Sequence, residues 1–127
     1  IIAVKQRPAA LARRVFLLSY SCMDSILPEE AQKIIKNGKA VVIDVRTPSE
    51  FADEHIHGAI NFDIYDSAFE KEIRALKPEA IYIINCQSGG RSSKACAKMQ
   101  ELGLVGVMNL EGGITAWKKA GLPVEGY

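Results

Sequence analysis

Apolar residues follow two alternating periods along most of the chain. Three short continuous apolar runs are too short for helices and rich in β-branched side chains, which is typical of strands buried on both faces. These runs cover residues 40–45, 81–84 and 105–110. Between them, apolar residues three or four positions apart predict helices, as Ala95, Met99 and Leu102 do. Alternating strands and helices predict an α/β domain with a mostly parallel sheet and helices on both faces.

Length and composition exclude several classes of protein. The chain has 127 residues, 48% of them hydrophobic and 24% charged, so it can bury one ordinary core but not two. Its 16 basic and 15 acidic side chains give a net charge of +1, without the basic stripe of a nucleic-acid-binding protein. No apolar run approaches the roughly 18 residues that cross a membrane. Its 3 cysteines cannot form a full disulfide framework.

The first 23 residues differ in charge from the rest of the chain. Their charged side chains are all basic: Lys5, Arg7, Arg13 and Arg14. We therefore expect a basic N-terminal extension of unknown role over residues 1–23 and one domain over residues 24–127. The apolar run in the extension is shorter than the roughly 7–15 residues of a secretory signal. This favours a family-specific extension or linker and a cytoplasmic location, with export or membrane association left open.

The strongest chemical signal follows the second apolar run. Cys86 comes at the end of that strand, where the working sites of open parallel sheets lie. The residues after it are Gln87, Ser88, Gly89, Gly90, Arg91 and Ser92. We name residues 86–92 the Cys86 loop. Its two glycines allow successive backbone N–H groups to turn inward as an anion-binding nest. The next helix, expected to begin at Ser92 or Ser93, adds its positive end.

This loop predicts that Cys86 is a thiolate near neutral pH. A free cysteine has a pKa near 8.5, and a fall of two units requires about 2.7 kcal/mol. A helix terminus supplies about 0.3–1 kcal/mol of this stabilisation. Hydrogen bonds to the sulfur, roughly 1.5–3 kcal/mol each, must therefore supply most of the stabilisation of the thiolate. The alternative interpretation is a buried small hydrophobic residue. Arg91 either faces the substrate or braces the loop through a carboxylate and backbone carbonyls, and we favour bracing.

Four stretches in order carry a family resemblance. They are Asp44-Val45-Arg46 with Glu50-Phe51, then His55 to Asn61, then Cys86 to Ser92, and then Leu110 to Ile114 with Trp117 and Gly121-Leu122-Pro123. Together they resemble the rhodanese family of sulfurtransferases over about residues 24–127. The resemblance implies a mostly parallel five-stranded sheet with helices on both faces. It also implies that Cys86 takes sulfane sulfur from a donor such as thiosulfate, holds it as a persulfide over the residue 87–92 anion cradle, and passes it to cyanide or a thiol.

The resemblance also implies what surrounds this chemistry. No metal or organic cofactor is expected, and the partners are a small sulfur donor and its acceptor, with a sulfur-delivering protein left open. We expect neither nucleic acid nor a membrane span. Asp44, Arg46 and Glu50 are expected to form a supporting ion-pair network. Gly112 and Gly113 are expected to let the backbone pass beneath the Cys86 loop and to line the pocket.

Two other functions stay open at this point. Cysteine-dependent phosphatases and arsenate reductases have five residues between cysteine and arginine, whereas this loop has four, which disfavours phosphoryl transfer. Non-catalytic rhodanese-like interaction modules typically lack the nucleophile that is present here. The absence of charge at residues 87–90 also suggests that thiosulfate is a test substrate and not the natural donor.

The remaining candidate residues have simpler interpretations. His55 is expected to be a structural hydrogen-bonding residue and His57 to face solvent, since two histidines without further ligands make a poor metal site. Cys96 and Trp117 are expected in the core. Cys22, in the extension, is a candidate resolving thiol for which spacing supplies no geometry.

Overall fold

The computed structural model describes residues 24–126, so the expectations for residues 1–23, including Cys22, lie outside the described residues. The strands are β1 (Ser25–Ile26), β2 (Val41–Asp44), β3 (His55–Ile56), β4 (Ile60–Asn61), β5 (Ile81–Asn85), β6 (Gly106–Leu110) and β7 (Val124–Glu125). The helices are α1 (Pro28–Lys36), α2 (Pro48–Asp53), α3 (Phe69–Arg74), α4 (Gly90–Glu101) and α5 (Gly113–Lys119).

Within residues 24–126, the central sheet has five strands in the order β1-β6-β5-β2-β4, all paired in parallel. This confirms the predicted sheet. The three apolar runs form its central strands β2, β5 and β6, which are covered on both faces. The segment expected to be extended around Gly58 divides into β3 and β4, and β3 pairs with β7 in a separate antiparallel ribbon.

Alternate residues of the central strands face opposite layers. Ile43 and Ile84 point to the layer that α3 and α4 cover, while Val42 and Ile83 point to the layer of α1 and α5. Burial of these two apolar faces is the main stabilising contribution to the fold. Because α4 and α5 lie on opposite faces, their N-termini approach the carboxyl end of β5 from two sides.

The predicted core residues lie where the pattern placed them. Cys96 is fully buried in the first of these layers, and Trp117 is buried in the second with its indole N–H donating to the carbonyl oxygen of Pro123 at 2.9 Å. Among the helices of residues 24–126, none combines the length and the apolar character needed to span a bilayer.

Candidate active site

The turn from β5 into α4 differs from the expected one. The helix begins at Gly90 and its N-cap is Gly89, so it starts two residues before Ser92. Gly89 has a φ of +117°, a conformation that favours glycine. Its carbonyl oxygen accepts the first helical hydrogen bond, from the amide of Ser93 at 3.1 Å. Arg91 and Ser92 therefore belong to the first turn of α4, where backbone N–H groups lack partners within the helix.

The sulfur of Cys86 lies against this first turn. The amide of Gly89 donates to Sγ at 3.0 Å, and the hydroxyl of Ser92 lies 3.3 Å from it. Burial of the thiol acts to raise the pKa of Cys86, but hydrogen bonds from the Ser92 side chain and from the amides of Ser92, Gly89 and Ser88 outweigh burial. The pKa of Cys86 is therefore lowered from its ordinary value.

Burial alone does not describe this cysteine. Cys86 is 1% exposed and contacts the apolar layer beneath α4, as a small hydrophobic residue would. Its sulfur nevertheless accepts a hydrogen bond from the Gly89 amide and lies within hydrogen-bonding distance of the Ser92 hydroxyl, contacts which an apolar role does not require. These contacts favour the ionised thiol, so the surroundings of the sulfur are those of a nucleophile.

The first turn of α5 holds the other side of the loop. The amides of Ile114 and Thr115 donate to the carbonyl oxygens of Cys86 and Gln87 at 3.0 and 3.2 Å. Gln87 also donates through its side chain to the Thr115 hydroxyl, so it is turned toward α5. The N-terminus of α5 thus holds the backbone of the nucleophile, while the N-terminus of α4 holds its sulfur.

Two glycines make this approach possible. A Cβ on Gly113, whose φ is +59°, would lie 2.5 Å from the carbonyl oxygen of Cys86 and 2.6 Å from that of Gln87. A Cβ on Gly112 would instead meet the Cβ of Ala116 at 2.5 Å, within its own helix. Gly113 therefore lies directly against the Cys86 loop, while Gly112 shapes the start of α5.

Arg91 points to a carboxylate. Its guanidinium binds Glu50 at two points, Nη1 to Oε1 at 2.8 Å and Nη2 to Oε2 at 3.0 Å. Glu50 is also held by a capping box with Thr47 at the start of α2. The hydrogen bond from Arg91 is the largest of the effects that lower the pKa of Glu50 to about 2. The pair thus ties the first turn of α4 to the first turn of α2.

The expected ion-pair network of Asp44, Arg46 and Glu50 was wrong, because Glu50 does not belong to it. Asp44 and Arg46 form a separate buried pair, with Nε 2.9 Å from Oδ1 and Nη2 2.8 Å from Oδ2. Arg46 also donates to the carbonyl oxygen of Glu54 at 2.6 Å. Glu50 instead pairs with Arg91, because α2 carries its first turn toward α4 and its last turn toward Arg46. The supporting residues therefore belong to two separate ion pairs: one joins α2 to α4, and the other is buried beside the end of α2.

Two asparagines were missed by sequence reasoning. Asn85, at the end of β5, donates to the carboxylate of Asp44 at 3.2 Å. Asn109, on β6, accepts a hydrogen bond from the Ser92 hydroxyl at 2.5 Å and donates to the Ser93 hydroxyl at 3.3 Å. Each is a polar residue at the end of an apolar strand, which is the signal that would have found them.

The two histidines lie in or beside the β3–β7 ribbon. His55 is buried and stacked on Phe51, whose carbonyl oxygen is 2.7 Å from its Nδ1, while His57 is 73% exposed. Glu125 on β7 binds both imidazoles. These contacts agree with the predicted structural and solvent-facing roles. Within residues 24–126, no three His, Cys, Asp or Glu side chains gather closely enough to hold a metal ion.

Comparisons with known proteins show what the chain is similar to. A protein of Synechocystis sp. is 34% identical over 102 residues, 78% of this chain and 54% of that protein, so the chain spans about half of that relative. Thiosulfate sulfurtransferase 16, chloroplastic, of Arabidopsis thaliana is 39% identical over 93 residues, 65% of this chain and 78% of that protein.

Structural similarity agrees with the sequence matches. The crystal structure of a rhodanese-related protein from Thermoplasma volcanium has a TM-score of 0.72 and 32% identity, and the match covers 80% of this chain and 97% of that one. The family model of the rhodanese-like domain matches residues 27–120. The match includes the whole Cys86 loop and every strand of the central sheet except β1. The chain therefore belongs to the rhodanese-like domain family.

Proposed function

We propose that this protein is a sulfurtransferase that carries sulfane sulfur on Cys86 as a persulfide. The observation that carries the proposal is the hydrogen bonding of Sγ by the first turn of α4, which lowers the pKa of the thiol. A thiolate is the nucleophilic form of cysteine. The names of the sulfurtransferase relatives support the same reaction class.

The reaction has two half-reactions. In the first, the Cys86 thiolate attacks the outer sulfur of thiosulfate, the S–S bond of the donor breaks, and sulfite leaves with its electron pair. The negative charge moves to the terminal sulfur of the new persulfide. In the second, cyanide or a thiolate attacks that terminal sulfur, and thiocyanate or a new persulfide leaves as the Cys86 thiolate returns. Such covalent catalysis predicts ping-pong kinetics.

The same amides suit both states of the sulfur. A thiolate and a persulfide each place one negative charge at the Cys86 loop, and the N–H groups of Gly89 and Ser92 favour negative charge there. The chain's own residues thus orient the nucleophile and stabilise its charge. No proton transfer to a leaving group is required, because sulfite and thiolate leave as anions.

The charge near the loop bears on the choice of donor. Arg91 is the one cation among residues 86–92, and its charge is balanced by the carboxylate of Glu50. A donor with two negative charges therefore gains little electrostatic attraction from this pair. We propose that the physiological donor is a persulfide of a small thiol or of a sulfur-delivering protein, and that thiosulfate is a slower substitute.

Intact mass spectrometry after treatment with thiosulfate tests the chemistry. We expect the protein to gain the mass of one sulfur atom, to lose it on addition of cyanide, and to gain nothing in the Cys86→Ser variant. The Cys96→Ser variant is the control for modification of another thiol. Failure of the wild-type protein to gain sulfur from thiosulfate or from a small-molecule persulfide would contradict the proposal, and turnover of an aryl phosphate would indicate a phosphatase.

A further inference from the structure

The hydroxyl of Ser92 faces more acceptors than it has hydrogens. Its Oγ lies 2.5 Å from Asn109 Oδ1, 3.2 Å from the carbonyl oxygen of Gly89 and 3.3 Å from the sulfur of Cys86. A serine hydroxyl carries one hydrogen. Ser92 is fully buried, so water cannot supply a second donor easily. The direction of this single hydrogen therefore depends on the neighbours of Ser92.

The arrangement in the structure suits the neutral thiol. With Oδ1 of Asn109 nearest to Ser92, the hydroxyl hydrogen lies between the two oxygens. The thiol of Cys86 then donates its own hydrogen to Ser92 Oγ. The other end of Asn109 donates to the hydroxyl of Ser93 at 3.3 Å. In this arrangement each of these three contacts joins one donor to one acceptor.

The thiolate requires the opposite arrangement. A bare sulfur anion needs the hydrogen of Ser92, which Oδ1 of Asn109 withholds. The oxygen and the nitrogen of a carboxamide have nearly the same size, so the group can turn over within one site. After this turn, Nδ2 of Asn109 donates to Ser92 Oγ, the Ser92 hydroxyl donates to the sulfur, and Oδ1 accepts from the hydroxyl of Ser93. Again each of the three contacts joins one donor to one acceptor.

We propose that Asn109 is a positioning residue for the nucleophile, and that its carboxamide turns over when Cys86 loses its proton so that Ser92 can donate to the thiolate. Asn109 does this from β6, because Ser92 lies between its side chain and the sulfur. The inference deepens the proposed function, since it concerns the same sulfur. Its test measures the ionisation of Cys86 and not sulfur transfer, so the two can fail separately.

Variants of Asn109 separate this role from packing. Asn109→Asp keeps the shape but can only accept, so it holds the hydrogen of Ser92 away from the sulfur. We expect the inflection of Cys86 alkylation against pH to move up by about one unit or more, equal to about tenfold less thiolate below the inflection. Asn109→Ala removes the competing acceptor together with the donor that turns Ser92 toward the sulfur, so we expect an upward shift of its inflection that is clearly smaller than that of Asp. If Ala shifts the inflection as much as Asp or more, Asn109 has only a packing role and the proposal fails.

Repeating Asn109→Asp in the Ser92→Ala variant separates its effect on hydrogen bonding from the effect of the aspartate charge. In the Ser92→Ala variant the connection between residue 109 and the sulfur is cut, so adding Asn109→Asp should change the inflection much less than it does in the wild-type protein. An equal shift in both backgrounds means that the charge acts through space, which contradicts the proposal.

The unsubstituted chain supplies an independent measurement if a variant does not fold. NMR of the full protein can follow the two side-chain N–H signals of Asn109 as pH changes. We expect them to shift with the same midpoint as Cys86 alkylation, and to lose that transition in the Cys86→Ser variant. Signals that stay constant through the ionisation of Cys86, or that shift equally without it, would overturn the proposal.

Discussion

Arg91 and Glu50 form a two-point ion pair that joins the first turns of α4 and α2, although 41 residues separate them along the chain. Their side chains are 24% and 34% exposed, so the pair is near solvent. The guanidinium fork matches the two carboxylate oxygens. Arg91 therefore holds the Cys86 loop in position, while its positive charge is largely neutralised by Glu50.

The first prediction concerns donor preference. Glu50→Gln keeps the acceptor that the capping box needs but removes the charge that balances Arg91. Thiosulfate carries two negative charges and an aryl thiosulfonate carries one. At about 1 kcal/mol per charge in a partly exposed site, we expect the ratio of kcat/KM for thiosulfate to that for the thiosulfonate to rise about fivefold.

The control for this change is Glu70→Gln. It breaks the exposed ion pairs of Glu70 with Arg74 on α3 and Lys98 on α4, and it removes the same amount of charge. The donor ratio should stay at the wild-type value in this variant, and the effect of Glu50→Gln should shrink at high salt because exposed charges are screened. An unchanged ratio in Glu50→Gln at low salt would show that Arg91 does not act on the donor electrostatically.

The second prediction concerns stability in acid. The pKa of Glu50 is lowered from 4.5 to about 2 in the folded protein. A lowered carboxyl pKa contributes stability that is fully present above about pH 4.5 and is lost as pH falls toward about 2. After allowance for solvent screening, we expect this contribution to be about 1–2 kcal/mol.

Urea unfolding at a series of pH values measures this contribution. The difference in the free energy of unfolding between wild type and Glu50→Gln should shrink as pH falls from about 4.5 to about 2. Glu29→Gln, which removes an exposed carboxylate of α1, is the control for the loss of one negative charge. A constant difference for Glu50→Gln over this range would contradict the ion-pair explanation.

The third prediction concerns the contact between Gly113 and the nucleophile. Gly113→Ala places a Cβ 2.5 Å from the carbonyl oxygen of Cys86, so the Cys86 loop must move. Gly121→Ala is a matched control: Gly121 also has a positive φ, but among the described residues no atom lies within 4 Å of where its Cβ would be. We expect Gly121→Ala to cost about 1–2 kcal/mol for its backbone conformation alone.

Urea unfolding and Cys86 alkylation distinguish these two glycine variants. Gly113→Ala should lose more stability than Gly121→Ala and should also slow alkylation near neutral pH, because the sulfur is displaced from its amides. Gly121→Ala should leave alkylation at the wild-type rate. Equal stability losses with unchanged alkylation in both variants would show that the close approach at Gly113 does not position Cys86.

The fourth prediction concerns the buried pair of Asp44 and Arg46. Both side chains are almost inaccessible, at 0% and 4% exposed. Asp44→Asn removes the charge that compensates Arg46, and breaking a buried pair in this way costs about 3–5 kcal/mol. The exposed pair is the contrast, since Glu70→Gln should cost about 0–1 kcal/mol in the same urea experiment. Similar costs for the two variants would mean that the Asp44 pair contributes little to the fold.

The fifth prediction concerns the pH dependence of Cys86 itself. Because the pKa of the thiol is lowered, alkylation by a neutral reagent should reach its maximum at a lower pH than for a free cysteine. We expect an inflection below that of a free cysteine in the wild-type protein and a higher one in Ser92→Ala, which lacks the hydroxyl contact. An inflection at or above about 8.5 in the wild-type protein would be that of an ordinary thiol.

Much of the fold can be predicted from the sequence, because it depends on the spacing of apolar residues over short stretches of the chain. The continuous apolar runs identify β2, β5 and β6 as central strands, since only a strand buried on both faces tolerates such a run. The same reasoning places Cys86 at the carboxyl edge of the sheet. The glycines that follow it indicate a backbone that turns N–H groups inward. These features involve neighbours within a few residues, and the predicted sheet was confirmed.

Contacts between distant elements required the folded structure. Local preferences pointed to a helix that begins at Ser92 or Ser93, since serine is favoured at helix N-termini. The Ser92 hydroxyl instead lies between Cys86 and Asn109, and Gly89 is the N-cap of a helix that begins at Gly90. Likewise, Glu50 was assigned to the wrong ion pair. Such side-chain partners depend on how whole helices pack on the sheet, through many weak contacts that no spacing along the chain encodes.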